Sequence, residues 1–123
     1  MSGTQTMNLD IQCAELGHQL ANVSGVEEKI INAALMVLEE QGPYAMFLYL
    51  QARHSNVAGA ISNKSLNFLR NVLGDRLDGA NGILDAVTKL ANNLDDLLFA
   101  RDLLRTSLSY ARYHLKAKGG GAS

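Results

Sequence analysis

Apolar side chains recur at helical spacing along residues 94–118, the longest uninterrupted helical pattern in the chain. They form two strips, which predicts a helix packed from two directions. The first strip comprises Leu97, Ala100, Leu104, Ala111 and Leu115, and the second comprises Phe99, Leu103 and Tyr110. Four cations of the same helix, Arg101, Arg105, Arg112 and Lys116, fall within an arc about 60° wide. This arc is a candidate polyanion-binding surface; the alternative is an ordinary solvated face.

Shorter helical patterns precede this one. Residues 7–23 place apolar side chains in an a/d rhythm that suits one neighbouring helix. The next pattern ends at Gly42-Pro43, because glycine can take the left-handed conformation after a helix and proline suits a first helical turn. Its inward positions are Ile30, Ile31, Ala34, Leu35 and Leu38. Residues 44–53 are apolar nearly all round, which predicts the most buried helix.

The second half of the chain alternates connections and helices. Residues 57–63, with Gly59, are interpreted as a connection before a short helix over residues 64–73. Residues 74–82 are rich in Gly, Asp and Asn, so we expect a mobile loop without a packing face. A further helix starts at Ile83 and either stops at Asn92-Asn93 or runs on into residues 94–118. The predicted fold is all-α: a single helical bundle of about five to six helices over residues 7–118, with a disordered N-terminus over 1–6 and a flexible glycine-rich tail over 119–123.

Composition and charge narrow the function only slightly. The 123 residues are 47% hydrophobic and carry a net charge of −1, which is typical of one globular domain and does not indicate a nucleic-acid protein as a whole. The charge is uneven, since residues 1–50 sum to −5 and residues 51–123 to +4. Such polarity favours one end that meets a polyanion, or head-to-tail self-stacking, unless the asymmetry is accidental.

No pattern predicts catalysis. The single cysteine, Cys13, lies on an apolar helical stripe and is interpreted as a core residue. Glu15 and His18 match the Glu-x-x-His spacing of di-iron bundles, but neither His54 nor His114 has a Glu three residues before it. We therefore expect no enzyme, metal, cofactor or small-molecule substrate, and His54 and His114 are interpreted as extensions of basic patches. With no signal peptide and no membrane-length apolar run, we expect a cytoplasmic protein without membrane contact.

A nucleic-acid role depends on helices, because no strand is predicted. A helix-turn-helix module would use residues 64–73 as its recognition helix, and that segment holds only two cations. The other interpretation is a bundle that contacts a phosphate backbone through its basic edge.

Three stretches resemble a known family. They are residues 9–15 of the opening helix; Gly42, Phe47-Leu48 and Ala52-Arg53; and Leu104-Arg105, residues 110–112 and Lys116-Ala117. Together they resemble the small helical subunit of type III CRISPR effector complexes, in particular the Cmr (type III-B) small subunit. Gln12 and Cys13 stand where basic residues are common in that family, so the resemblance does not extend to an RNA contact by the opening helix.

The resemblance implies a non-catalytic role. Copies would stack along the complex and hold the guide RNA–target RNA duplex through its backbone, beside the other subunits of the ribonucleoprotein. The residues expected to contact the backbone are Arg53, Lys64, Arg70, Arg101, Arg105, Arg112 and Lys116. The alternative is a protein-only helical adaptor, for which nucleic acid is irrelevant.

Overall fold

Six α-helices follow one another along the chain in a computed structural model that describes residues 2–120. They are α1 (Ser2–Ala21), α2 (Glu28–Gln41), α3 (Pro43–Arg53), α4 (Ser55–Leu73), α5 (Ile83–Leu90) and α6 (Leu94–Gly120), with a 3₁₀ helix (Gly74–Leu77) between α4 and α5. No strand occurs within the described range, and the predicted all-α helical bundle is confirmed.

The ends of the chain differ from the predicted boundaries. Helix α1 begins at Ser2, five residues before the predicted start at residue 7. Helix α6 continues through Gly119 and Gly120, while the remaining residues of the predicted tail, 121–123, lie outside the described part, as does Met1.

Helix α6 is the element on which the bundle is built. Its apolar face is buried at Ala100, Leu104, Leu108 and Ala111, and α1, α2 and α5 all pack against it. The second predicted strip is covered unevenly, because Leu103 is buried whereas Phe99 is 39% exposed. At 1.5 Å per residue a helix of this length spans about 40 Å, so several helices can pack along its length.

Contacts between residues fix the helix directions. Cys13 lies against Leu103 and Ala21 against Lys118, so α1 and α6 run parallel. Glu28 pairs with Lys116 and Glu39 with Arg105, which makes α2 antiparallel to α6.

The turn between α2 and α3 forms as predicted. Gly42 has a φ of 98°, and its N–H donates to the carbonyl oxygens of Leu38 (3.0 Å) and Val37 (3.3 Å). Pro43 then occupies the first turn of α3, where its missing N–H is no loss. Farther along, α5 stops at Leu90, and Asn92 and Asn93 separate it from α6.

The prediction of a connection over residues 57–63 is wrong, because α4 runs without interruption from Ser55 to Leu73. Val57, Ala58 and Ile61 are buried at helical spacing. Burying this stripe outweighs the helix-propensity cost of Gly59, about 1 kcal/mol relative to alanine.

The prediction that residues 74–82 have no packing face is also wrong. Leu77 and Ala80 are buried, and Arg70 Nη2 donates to the carbonyl oxygen of Ala80 at 2.8 Å. Burial of Leu77 anchors the segment against the core. The many small and polar residues around Leu77 gave no sign of this burial in the sequence.

Helix α3 is less buried than its apolar composition predicted. It buries Pro43, Met46, Phe47 and Leu50 on one side. Tyr44 and Leu48 are 46% and 47% exposed on the other side. Among the described helices, none combines the length and hydropathy needed to cross a membrane.

Candidate nucleic-acid interface

The seven predicted cations lie on three helices. Arg53 is on α3, Lys64 and Arg70 are on α4, and Arg101, Arg105, Arg112 and Lys116 are on α6. The surroundings of each decide which are available to a phosphate.

The basic edge of α6 faces the acidic residues of α2. Arg105 donates through Nε to Glu39 and through Nη1 to Asp102 Oδ1 at 2.8 Å. The hydrogen bond to Glu39 is the main cause that raises the pKa of Arg105 above its usual value. Near the other end of α6, Lys116 Nζ lies 3.1 Å from Glu28 Oε2.

These ion pairs change the meaning of the charge asymmetry. Glu28 and Glu39 belong to the acidic half of the sequence, and their partners Lys116 and Arg105 belong to the basic half. Part of the opposite charge is therefore paired at the surface between α2 and α6 and is not displayed at separate ends of the molecule.

Arg101 and Arg112 occupy the same edge without an acidic partner in the described part of the chain. Arg101 is half-buried, and its Nε is buried without a hydrogen-bond partner among the described residues. The guanidinium of Arg112 lies 5.6 Å from the ring centroid of Tyr113, within cation–π range.

The cations of α3 and α4 have three different surroundings. Arg53 is exposed in the last turn of α3. Lys64 is half-buried and lines a groove between α1 and α4. Arg70 makes a contact within the chain, because its Nη2 donates a hydrogen bond to the carbonyl oxygen of Ala80.

Four of the predicted contacts make no ion pair or hydrogen bond with other described residues: Arg53, Lys64, Arg101 and Arg112. Arg101 differs from the other three because its Nε is buried, which leaves Arg53, Lys64 and Arg112 as the available cations. They lie on three different helices, so the structure does not place the predicted set on one stripe.

The histidines pack against other rings. His18 and His114 meet edge to face, with ring centroids 4.9 Å apart, and His54 Nε2 lies 3.2 Å from the hydroxyl of Tyr49. Within residues 2–120, no group of three or more His, Cys, Asp or Glu side chains is arranged to hold a metal ion.

The sequence patterns gave no indication of a groove between α1 and α4. Its volume is 310 Å³, and its lining residues are Gln12, Glu15, Leu16, Gln19, Lys64, Asn67, Phe68 and Asn71. The available signal was a pair of polar side chains seven residues apart on each helix: Gln12 with Gln19, and Lys64 with Asn71.

The bundle also exposes large hydrophobic side chains that the sequence patterns did not single out as a surface. They lie on α1, α2, α3 and α6 and are Ile11, Met36, Tyr44, Leu48, Leu94, Leu98, Phe99 and Tyr113. Side chains of this kind often contact protein partners when they form a patch.

Comparison with protein-family models, curated proteins and solved structures found no match for this chain.

Proposed function

We propose that this chain is a non-catalytic small subunit of a cytoplasmic type III, Cmr-like RNA-guided complex, in which it holds the guide–target duplex through phosphate contacts. The observation that supports an RNA contact is the availability of Arg53, Lys64 and Arg112 after the internal ion pairs are accounted for. The exposed hydrophobic side chains offer contacts to neighbouring subunits.

The proposed RNA contact is electrostatic. Lysine and arginine neutralise phosphates and release counterions, a contribution that carries no base sequence. A chain with a net charge of −1 and three available cations binds weakly alone. Several copies along one duplex add their contacts, so that affinity comes from the array.

The test uses the tagged chain purified from its host with whatever accompanies it, with and without nuclease treatment. We expect larger subunits and one short RNA of defined length. Retention of that RNA should fall steeply as salt is raised from about 50 to 200 mM. A single protein partner without RNA would contradict the proposal.

The variant that tests the interface is Arg53→Glu with Arg112→Glu, which leaves the ion pairs of Arg105 and Lys116 intact. We expect RNA retention to fall while the helical content stays unchanged. Its control is Lys29→Glu with Lys89→Glu, which changes the net charge equally on α2 and α5. Equal RNA loss in both variants would show a general charge effect and would contradict this interface.

A protein-only adaptor is the second candidate, and the pairing of α6 cations with Glu28 and Glu39 favours it. In that case Tyr44→Ser with Leu48→Ser should release the partner, because both side chains are about half exposed on α3. The Arg53→Glu, Arg112→Glu variant should then retain the partner.

A further inference from the structure

The groove between α1 and α4 is built from matching positions on two helices. Helix α1 contributes residues 12, 15, 16 and 19, and α4 contributes residues 64, 67, 68 and 71, so each helix supplies one face at i, i+3, i+4 and i+7 spacing. Leu16 and Phe68, both buried, form an apolar floor. The groove spans seven residues of each helix, or about 10 Å.

The walls consist of polar side chains that the fold leaves unused. Four carboxamides, one ammonium and one carboxylate line the groove, and none of them takes part in a hydrogen bond or ion pair between the side chains described here. They are Gln12, Gln19, Asn67, Asn71, Lys64 and Glu15. A 310 Å³ groove with unused donors and acceptors is in the lower size range of small-ligand sites.

The helix directions give these groups an order. Gly25, just beyond α1, lies beside the start of α4, since a Cβ built on it would be 3.1 Å from Asn56 Nδ2. The two helices therefore run antiparallel. Gln12 lies toward Asn71 at one end of the groove, and Gln19 lies toward Lys64 at the other.

This order leaves Glu15 and Asn67 in the middle of the groove. The groove thus presents a carboxamide pair, then a carboxylate with a carboxamide, then an ammonium group with a carboxamide. Each of the three sections matches a different part of one ligand class.

A carboxamide combines one donor and one acceptor, which match N6–H and N7 of adenine, whereas guanine presents two acceptors on the same edge. A carboxylate accepts from ribose hydroxyls, as an acidic residue does in dinucleotide-binding folds. An ammonium group attracts phosphate. We propose that the α1–α4 groove binds one adenosine 5′-monophosphate unit, with adenine between Gln12 and Asn71, ribose at Glu15 and phosphate at Lys64.

The groove shares Lys64 with the proposed phosphate contacts and does not include Arg53 or Arg112. The nucleotide has two possible sources, free AMP or an adenosine within a bound RNA strand. Binding of free AMP would contradict the sequence-based expectation that the chain takes no small-molecule substrate. Binding of an adenosine within RNA would add an RNA contact by α1, to which the family resemblance does not extend.

The experiment is NMR of the full ¹⁵N-labelled chain titrated with AMP, GMP, UMP or a short oligoadenylate. The side-chain NH₂ signals of Gln12, Gln19, Asn67 and Asn71 report directly on the groove. We expect saturable shifts of these signals with AMP and binding of GMP at least about fivefold weaker. Shifts of the same signals with oligoadenylate but not with AMP would assign the site to RNA.

Variants separate the three sections of the groove. Gln12→Ala with Asn71→Ala should weaken AMP binding at least about fivefold, and Lys64→Met should reduce AMP binding to the level of adenosine. The control is Gln51→Ala with Asn63→Ala, which removes exposed carboxamides outside the groove. Circular dichroism checks that every variant is folded.

Two results would overturn the proposal. One is the absence of groove shifts with both AMP and oligoadenylate. The other is binding that is equal for AMP, GMP and UMP, or that is unchanged in the Gln12→Ala, Asn71→Ala variant. The RNA-retention test of the proposed function changes only Arg53 and Arg112, which lie outside the groove, so failure of the AMP proposal leaves that test unaffected.

Discussion

The two sides of α6 are packed in different ways. Toward α1, small residues bring the backbones close: a Cβ built on Gly17 would lie 2.7 Å from the Ser107 carbonyl oxygen and 2.8 Å from the Ala111 nitrogen. Toward α2, long charged side chains join the helices at the surface through Glu28–Lys116 and Glu39–Arg105. The α1 side therefore depends on shape, and the α2 side depends partly on charges that water and salt can screen.

Replacing Gly17 tests the close approach and should have the largest effect. The added Cβ would meet Tyr110 Cβ at 2.5 Å besides the two backbone atoms of α6, so α1 must move away. We expect Gly17→Ala to lower the free energy of unfolding by about 2 kcal/mol or more, although alanine is the better helix former. Urea denaturation of the two proteins measures this difference.

Gly59→Ala is the matched control, because Gly59 lies within α4 with no heavy atom within 4 Å of an added Cβ. This variant should be stabilised by about 0.5–1 kcal/mol. If Gly17→Ala were stabilised as much as Gly59→Ala, the α1 side of α6 would not depend on a close approach at Gly17, and the stated difference between the two sides of α6 would be wrong.

The sequence was sufficient for the fold class and for features that depend on local chemistry. The amphipathic pattern of residues 94–118 predicted the central helix, and Gly42-Pro43 predicted the turn between α2 and α3. Prediction from the sequence was wrong around Gly59 and Leu77, because burial in the tertiary structure overrides the local preference of these segments for a loop. The contact of Gly17 with α6 could not be predicted from the sequence, because it depends on which helices become neighbours in the fold.

The candidate sites were predictable only in part. Periodicity placed four cations on one arc of α6, but it gave no indication that Glu28 and Glu39 would face that arc. The carboxamides of the α1–α4 groove were visible as ordinary exposed polar residues. Their convergence requires the antiparallel packing of two helices that are separated in the chain by α2 and α3.

A pH series tests the buried side of the comparison, where Cys13 packs against α6 with its Sγ 3.7 Å from the Leu103 carbonyl oxygen. Burial raises the pKa of the Cys13 thiol, Asp10 adds to this rise, and a hydrogen bond with Ser107 opposes it. Above about pH 8.5 an unfolded thiol loses its proton while the folded one keeps it. Stability is therefore complete below that pH and falls as pH rises toward the folded pKa.

Urea denaturation at neutral pH and near pH 9 measures this dependence, which should be weaker in Cys13→Ala. The comparison uses the change with pH within each protein, because the smaller side chain lowers stability at every pH. An identical decline in both proteins would assign the alkaline loss of stability to other groups.

The charged side of the comparison should give the smallest effect. Arg105 and Glu39 are 36% and 48% exposed, so water screens their ion pair. A double-mutant cycle with Glu39→Gln and Arg105→Gln should give a coupling energy of about 0.2–1 kcal/mol that shrinks with added salt. The more exposed Lys29–Glu27 pair is the control, with an expected coupling near zero. Coupling as large as the effect of Gly17→Ala, or insensitive to salt, would mean that the α2 side also depends on a dry, closely fitted contact.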